Sequence, residues 1–139
     1  MKRRQNDEAP AFSERITEVL KVLDDAIKDH QWNSDKIVEM EKLTQDYLHS
    51  LELDDLKYED RAKIATQLAK CRQKRREHKD TTMILEPLVQ YLDTDRGRQL
   101  VNLLKEVLGK TRKAEEKMTN RVYYPRVLGK GENHVAVKT

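Results

Sequence analysis

Six cations stand within ten residues of this chain, Lys70, Arg72, Lys74, Arg75, Arg76 and Lys79, with Glu77 as the only acid among them. The chemistry open to such a run is phosphate contact: Arg and Lys displace condensed counterions from a nucleic-acid backbone and anchor a protein without reading its sequence. On a helix the six spread around most of the circumference, so some must face solvent. The competing reading is a solvated helix whose cations pair with acids elsewhere in the chain. A second basic group, Lys105, Lys110, Arg112, Lys113, Lys117, Arg121 and Arg126, leads into Tyr123-Tyr124-Pro125. There, arginines and tyrosines could stack on unpaired bases. The same extended segment could instead dock across a helical groove or pair with a strand of another chain.

Other chemistry finds little support. His30, His49, His78 and His134 have no neighbour at metal-ligand spacing, and Cys71 is the single cysteine, so neither a zinc site nor an internal disulfide is expected. Gly109-Lys110-Thr111 has the ending of a phosphate-binding loop, but that motif needs a first glycine where Leu104 stands, preceded by a strand. The acid pairs Asp24-Asp25, Asp54-Asp55 and Glu115-Glu116 read as solvated charge, because adjacent helical residues point to different sides. No serine lies in a nucleophile-elbow motif. The expectation is a protein that is not an enzyme and needs no cofactor.

Helices must position these cations. Ser13 can cap a helix of about 13–30 marked by Ile16, Leu20, Leu23, Ile27 and His30. Trp32-Asn33-Ser34 punctuates the chain, and Ile37, Met40, Thr44, Tyr47 and Leu51 mark a second helix of about 34–52, forming an antiparallel hairpin with the first. After Asp54-Asp55, the positions Ile64, Leu68, Cys71, Arg75, His78, Thr82, Leu85, Val89 and Leu92 follow 4-3-4-3 spacing, a coiled-coil-like seam with a polar middle. One reading is a single helix over 58–92, roughly 50 Å long. The other breaks it near Lys79, with Asp80 as a cap. A single helix, kinked at Pro87, is preferred, and Arg75 should open the seam or change its partner.

Asp95 can cap a fourth helix of about 95–119, with Leu100, Leu103, Leu104, Val107, Leu108, Thr111, Ala114 and Met118 on its apolar face and Gly109 as an interruption. Residues 1–12 read as a disordered lead-in and 121–139 as an extended segment with a flexible tail. The predicted fold class is therefore all-α: an antiparallel helical bundle over 13–120 with one long helix.

With 139 residues the chain suits one domain, and its 38% charged and 37% hydrophobic content matches a charge-rich bundle. A seam that four helices cannot fully cover predicts a homodimer. No apolar run approaches the length of a membrane span, no export signal is seen, and a lone thiol fits a reducing compartment, so a cytoplasmic location is expected. Charge is divided unequally. Residues 1–60 hold nine Lys and Arg against sixteen Asp and Glu, net −7, and residues 61–139 hold nineteen against nine, net +10.

The stretch from Tyr58 to Leu128 carries Asp60-Arg61-Ala62-Lys63-Ile64-Ala65, Arg75-Arg76-Glu77-His78-Lys79-Asp80, Gly109-Lys110-Thr111-Arg112-Lys113 and Arg121-Val122-Tyr123-Tyr124-Pro125-Arg126-Val127-Leu128. It resembles small uncharacterised helical proteins of phages and prophages of Gram-positive bacteria. The resemblance covers about half of the chain. It implies a nucleic-acid context or an inhibitor of a host protein, and it carries no catalytic residues. Two functions follow as expectations: nucleic-acid binding through the basic helix faces, or a protein-interaction module that grips a host or phage protein through the seam and the Tyr-Pro segment.

Overall fold

A computed structural model of the chain describes residues 9–127 and 137–138. It is an all-α helical bundle. Among the described residues the helices are α1 (Phe12–Leu53), α2 (Tyr58–Leu92) and α3 (Asp95–Thr119), followed by the two-residue strands β1 (Val122–Tyr123) and β2 (Val137–Lys138). The chain divides into two compact units, Lys21–Arg98 and the combination of Met1–Leu20 with Gln99–Thr139. No helix among the described residues is long and apolar enough to cross a membrane.

In the unit Lys21–Arg98, α1 packs antiparallel on α2: residue numbers fall along α1, from Glu41 to Asn33, as their partners rise along α2, from Arg75 to His78. The 4-3-4-3 seam of α2 is the face that α1 covers, with Cys71, Thr82 and Leu92 buried and the intervening seam positions half-buried. Its polar members are each satisfied. The Cys71 thiol donates to the Met40 carbonyl at 3.3 Å, and the Thr82 hydroxyl donates to the Lys79 carbonyl at 2.8 Å.

The expected hairpin of helices 13–30 and 34–52 is not formed; the two are one helix. Trp32-Asn33-Ser34 contains no Gly or Pro, and its polar side chains bond back onto their own helix. The Asn33 amide donates to the Asp29 carbonyl at 2.7 Å and the Ser34 hydroxyl to the His30 carbonyl at 2.8 Å. The chain reverses instead after Leu53, and the half of α1 beyond Ser34 is covered by α2. α2 itself is unbroken through Lys79 and Pro87, so Asp80 caps nothing.

The α2–α3 turn is tight. Thr94, rather than Asp95, is the cap of α3: its hydroxyl oxygen accepts the Gly97 N–H at 3.1 Å and its carbonyl accepts the Arg98 N–H at 3.0 Å. Gly97 is buried against the end of α2, where a Cβ would lie 2.0 Å from the Tyr91 carbonyl oxygen and 2.6 Å from the Leu92 Cα. Only glycine fits there.

In the other unit, the start of α1 packs antiparallel on the end of α3, with Ser13 meeting Glu115 and Thr17 meeting Arg112. Ser13 does not cap α1, which begins one residue earlier at Phe12. The Ser13 backbone N–H and hydroxyl both donate to the Glu115 carboxylate, at 2.9 and 2.7 Å. A carboxylate from α3 thus takes a donor that α1's first turn cannot satisfy within the helix. These two bonds, the hydroxyl first, hold the Glu115 carboxyl below the ordinary glutamate value of 4.5. Gly109 neither ends nor interrupts α3, and a Cβ added there would meet nothing within 4 Å. Residues 1–8 of the expected lead-in lie outside the described residues. So does the expected tail from Gly129, apart from β2, which pairs antiparallel with β1 (Val122 opposite Lys138, Tyr123 opposite Val137).

Candidate nucleic-acid interface

The basic run sits on the middle of α2, where a continuous helix without Gly holds it in register. Arg75 faces the seam. Its Nε and Nη2 both donate to Glu41 Oε1 of α1, at 3.2 and 2.9 Å, so the seam does not open at this arginine; a carboxylate from α1 closes it. Lys70, Arg72, Lys74, Arg76 and Lys79 are exposed, and among the described residues none of them has an ion-pair partner. The acidic half of the chain therefore neutralises one member of the run and leaves five in solvent.

Arg72, Arg75, Arg76 and Lys79 recur three or four residues apart and, with Asp80 and Met83, line a shallow depression of about 330 Å³. A second open groove of about 310 Å³ runs beside it, walled by Glu41, Thr44, Gln45 and Leu48 of α1 and floored by Arg72 and Arg75. Arg72 thus stands between two concavities. The surface is positive and open, suited to a polyanion rather than to a small molecule enclosed on all sides.

Above the seam, His78 is held by Asn33. Asn33 spends its amide N–H on the Asp29 carbonyl, which turns its oxygen toward His78 Nδ1 at 2.8 Å. An amide oxygen can only accept, so His78 carries its proton on Nδ1. The imidazole also meets Trp32 edge-on at 5.4 Å, and Lys36 lies over the Trp32 ring at 5.4 Å. His78 is thus a seam residue with a full set of neighbours. No group of three or more His, Cys, Asp or Glu among the described residues is arranged to hold a metal ion.

The second basic group is dispersed. Arg112 donates to the Thr17 hydroxyl at 3.4 Å, and Lys113 and Lys117 rim a depression of about 400 Å³ with Glu116 and Asn120. Arg121 bonds to the Met118 sulfur, and Arg126 is exposed. Tyr123 and Tyr124 are exposed and Pro125 is half-buried, with Tyr123 in the β1–β2 ladder of its own chain.

Two cations outside the densest run belong to the same helix. Arg61 and Lys63 are exposed on α2 and lack ion-pair partners among the described residues. Counting charges in a ten-residue window passes over them; projecting the whole of α2 on a helical wheel would have found them. α3 adds a different surface. Its inward seam is Gly97, Val101, Leu104, Leu108, Thr111 and Glu115, with Gly97 and Leu108 buried and the others half-buried, while Leu100, Leu103, Val107, Ala114 and Met118, expected on the same apolar face, form a second stripe that faces solvent. Comparison with models of known families, with curated proteins and with solved structures gives no match to this chain.

Proposed function

We propose that this protein binds nucleic acid through the cation-bearing surface of α2 and performs no chemistry on it. The observation that supports the reading is the set of five exposed cations between Lys70 and Lys79 without carboxylate partners among the described residues, in a chain whose other half is rich in acid. Cations with no intramolecular work are held close together at a cost in self-repulsion, which a polyanion relieves. The resemblance to small phage and prophage proteins points to phage DNA metabolism as the setting, and the single buried thiol suits a reducing, cytoplasmic one.

The test is fluorescence anisotropy with labelled nucleic acids over a range of salt, on the wild type and on Arg72→Glu/Arg76→Glu/Lys79→Glu. Arg75 is left intact because it serves Glu41. Binding is expected to weaken steeply with salt, with a log–log slope of roughly −4.5 for five phosphates neutralised, and to be lost in the triple variant with helicity unchanged. Wild-type protein that binds no nucleic acid at low salt would overturn the proposal.

The outward stripe of α3 favours a second reading, a protein-interaction module. A row of exposed Leu, Val and Met suits an apolar helix, from a host or phage protein or from a second copy of the chain. A complex of that kind survives added salt, and sedimentation at high micromolar concentration distinguishes a homodimer from a monomer.

A further inference from the structure

The arrangement of side chains around α2 carries the nucleic-acid reading further, and the inference rests on that reading. At about 100° per residue, the seam occupies one face of α2. The opposite face, over 62–73, presents Ala62, Thr66, Ala69 and Gln73, all exposed, small or neutral and spaced four, three and four apart. Exposed cations stand on both sides of this ridge. Arg61, Arg72, Arg76 and Lys79 lie about 50–110° to one side, and Lys63, Lys70 and Lys74 lie about 70–110° to the other.

We infer that α2 enters the major groove of duplex DNA with this ridge foremost. Two rows of cations half a turn apart match two phosphate backbones, one on each wall of a groove; a helix lying across a single strand would leave one row idle. The dimensions agree, because a helix with its side chains is about 10–12 Å across and the B-form major groove about 12 Å wide. The minor groove is half that width, and the A-form major groove of duplex RNA is deep and narrow. Single-strand binders stack bases on aromatic rings, and there is no Phe, Tyr or Trp between Arg61 and Lys79.

The ridge chemistry suits base edges. Short side chains let the backbone of α2 approach the groove floor, the methyls of Ala62, Thr66 and Ala69 match thymine methyls, and the Gln73 amide matches the adenine edge. Acids bound the ridge face at both ends, Glu59 before the ridge and Glu77 and Asp80 after it. Repelled by the negative groove, they limit contact with the base edges to the eleven steps from Ala62 to Gln73, while the cation rows reach phosphates on either side of it. Those steps make roughly 16 Å of helix, the length of about five base pairs.

The experiment compares a short mixed-sequence DNA duplex, the same sequence as an RNA duplex and its single strand, with wild type and with Thr66→Leu/Ala69→Leu. This variant keeps every charge and the helix propensity of α2 but fills the ridge. Dimethyl sulfate probing of guanine N7, a major-groove atom, accompanies the titration. The DNA duplex is expected to bind about tenfold tighter than the other two, with N7 protected, and the variant to lose about tenfold on the DNA duplex alone. Equal binding of the three forms, or binding indifferent to the ridge substitutions, overturns the groove insertion and leaves the phosphate-binding reading standing. Failure of wild type to bind any of them overturns both.

Discussion

α2 and α3 are built on the same 4-3-4-3 seam and use it in opposite ways. The middle of the α2 seam is Cys71, Arg75, His78 and Thr82, yet α1 covers it, because each polar group has a partner: Met40, Glu41, Asn33 and the helix's own carbonyl. The apolar content of α3 exceeds what its seam buries, so Leu103 and Val107 remain 57% and 47% exposed beside a buried Leu108. Polarity in a seam does not open it when hydrogen bonds are completed, and apolar side chains do not bury themselves when no neighbour faces them. The outward faces divide in the same way, cationic on α2 and aliphatic on α3, which separates the two candidate surfaces by chemistry.

The comparison is broken most severely at the junction of the two helices. Gly97→Ala forces a methyl onto the Tyr91 carbonyl and the Leu92 backbone, neither of which is a flexible side-chain end. It is expected to lower stability by about 3 kcal/mol or to prevent folding, as read by urea denaturation. Next comes the polar seam. Asn33→Ala leaves the His78 Nδ1–H without its acceptor and should cost about 2 kcal/mol, whereas Asn33→Leu combined with His78→Leu should recover most of that loss. A double variant as unstable as the single one would show that the seam needs its polar pair for more than satisfaction.

α3 offers the opposite sign. Gly109→Ala enters open space on an exposed helical position and is expected to stabilise by about 1 kcal/mol, visible as a raised Tm. Gly97 and Gly109 sit twelve residues apart on one helix, so the pair measures how far space, rather than residue type, decides the outcome. The smallest effect concerns Glu115. Its folded pKa is lowered by Ser13, so the stability it contributes is present above the ordinary glutamate value and is lost as pH falls through the lowered one. Wild type and Glu115→Gln should therefore differ in stability at neutral pH and converge on acidification, as measured by denaturation across that range.

Much of the architecture was legible in the residues. The α2 seam was readable position by position because a heptad of Ile, Leu, Val and polar residues uninterrupted by Gly has one consistent helical phase. The continuity of α1 was legible too: His30 and Ile37 are seven residues apart, so both halves share one register through Trp32-Asn33-Ser34. Weight given to punctuating residue types hid it, since Asn and Ser favour turns only when their side chains do not bond back to the helix. The cap of α3 was misplaced by one residue, at Asp95, because Thr94 and Asp95 in succession offer the same chemistry. Ser13 lies inside α1, whose first N–H groups bond back to the Ala11 carbonyl, and its side chain is taken by Glu115 instead.

The candidate surface was half legible. The cations of α2 were plain, but whether they were free depended on which acids could reach them. Of the Asp and Glu residues in the first sixty, Glu41 reaches the run, and it reaches Arg75. Glu115, one of a pair that reads as solvated charge, turns out to bond the first turn of α1, a hundred residues away in the chain.

By itself, then, the sequence determined the helical class, the phase of the α2 seam and the cationic character of that helix, because these follow from side-chain chemistry repeated at the period of a helix. On α3 it merged the inward seam and the outward stripe into one apolar face. Tertiary structure alone decided which helix covers each seam, which single cation of the basic run is neutralised and which row of α3 leucines stays outside. Those outcomes depend on distances between residues far apart in the chain, and local periodicity contains no information about them.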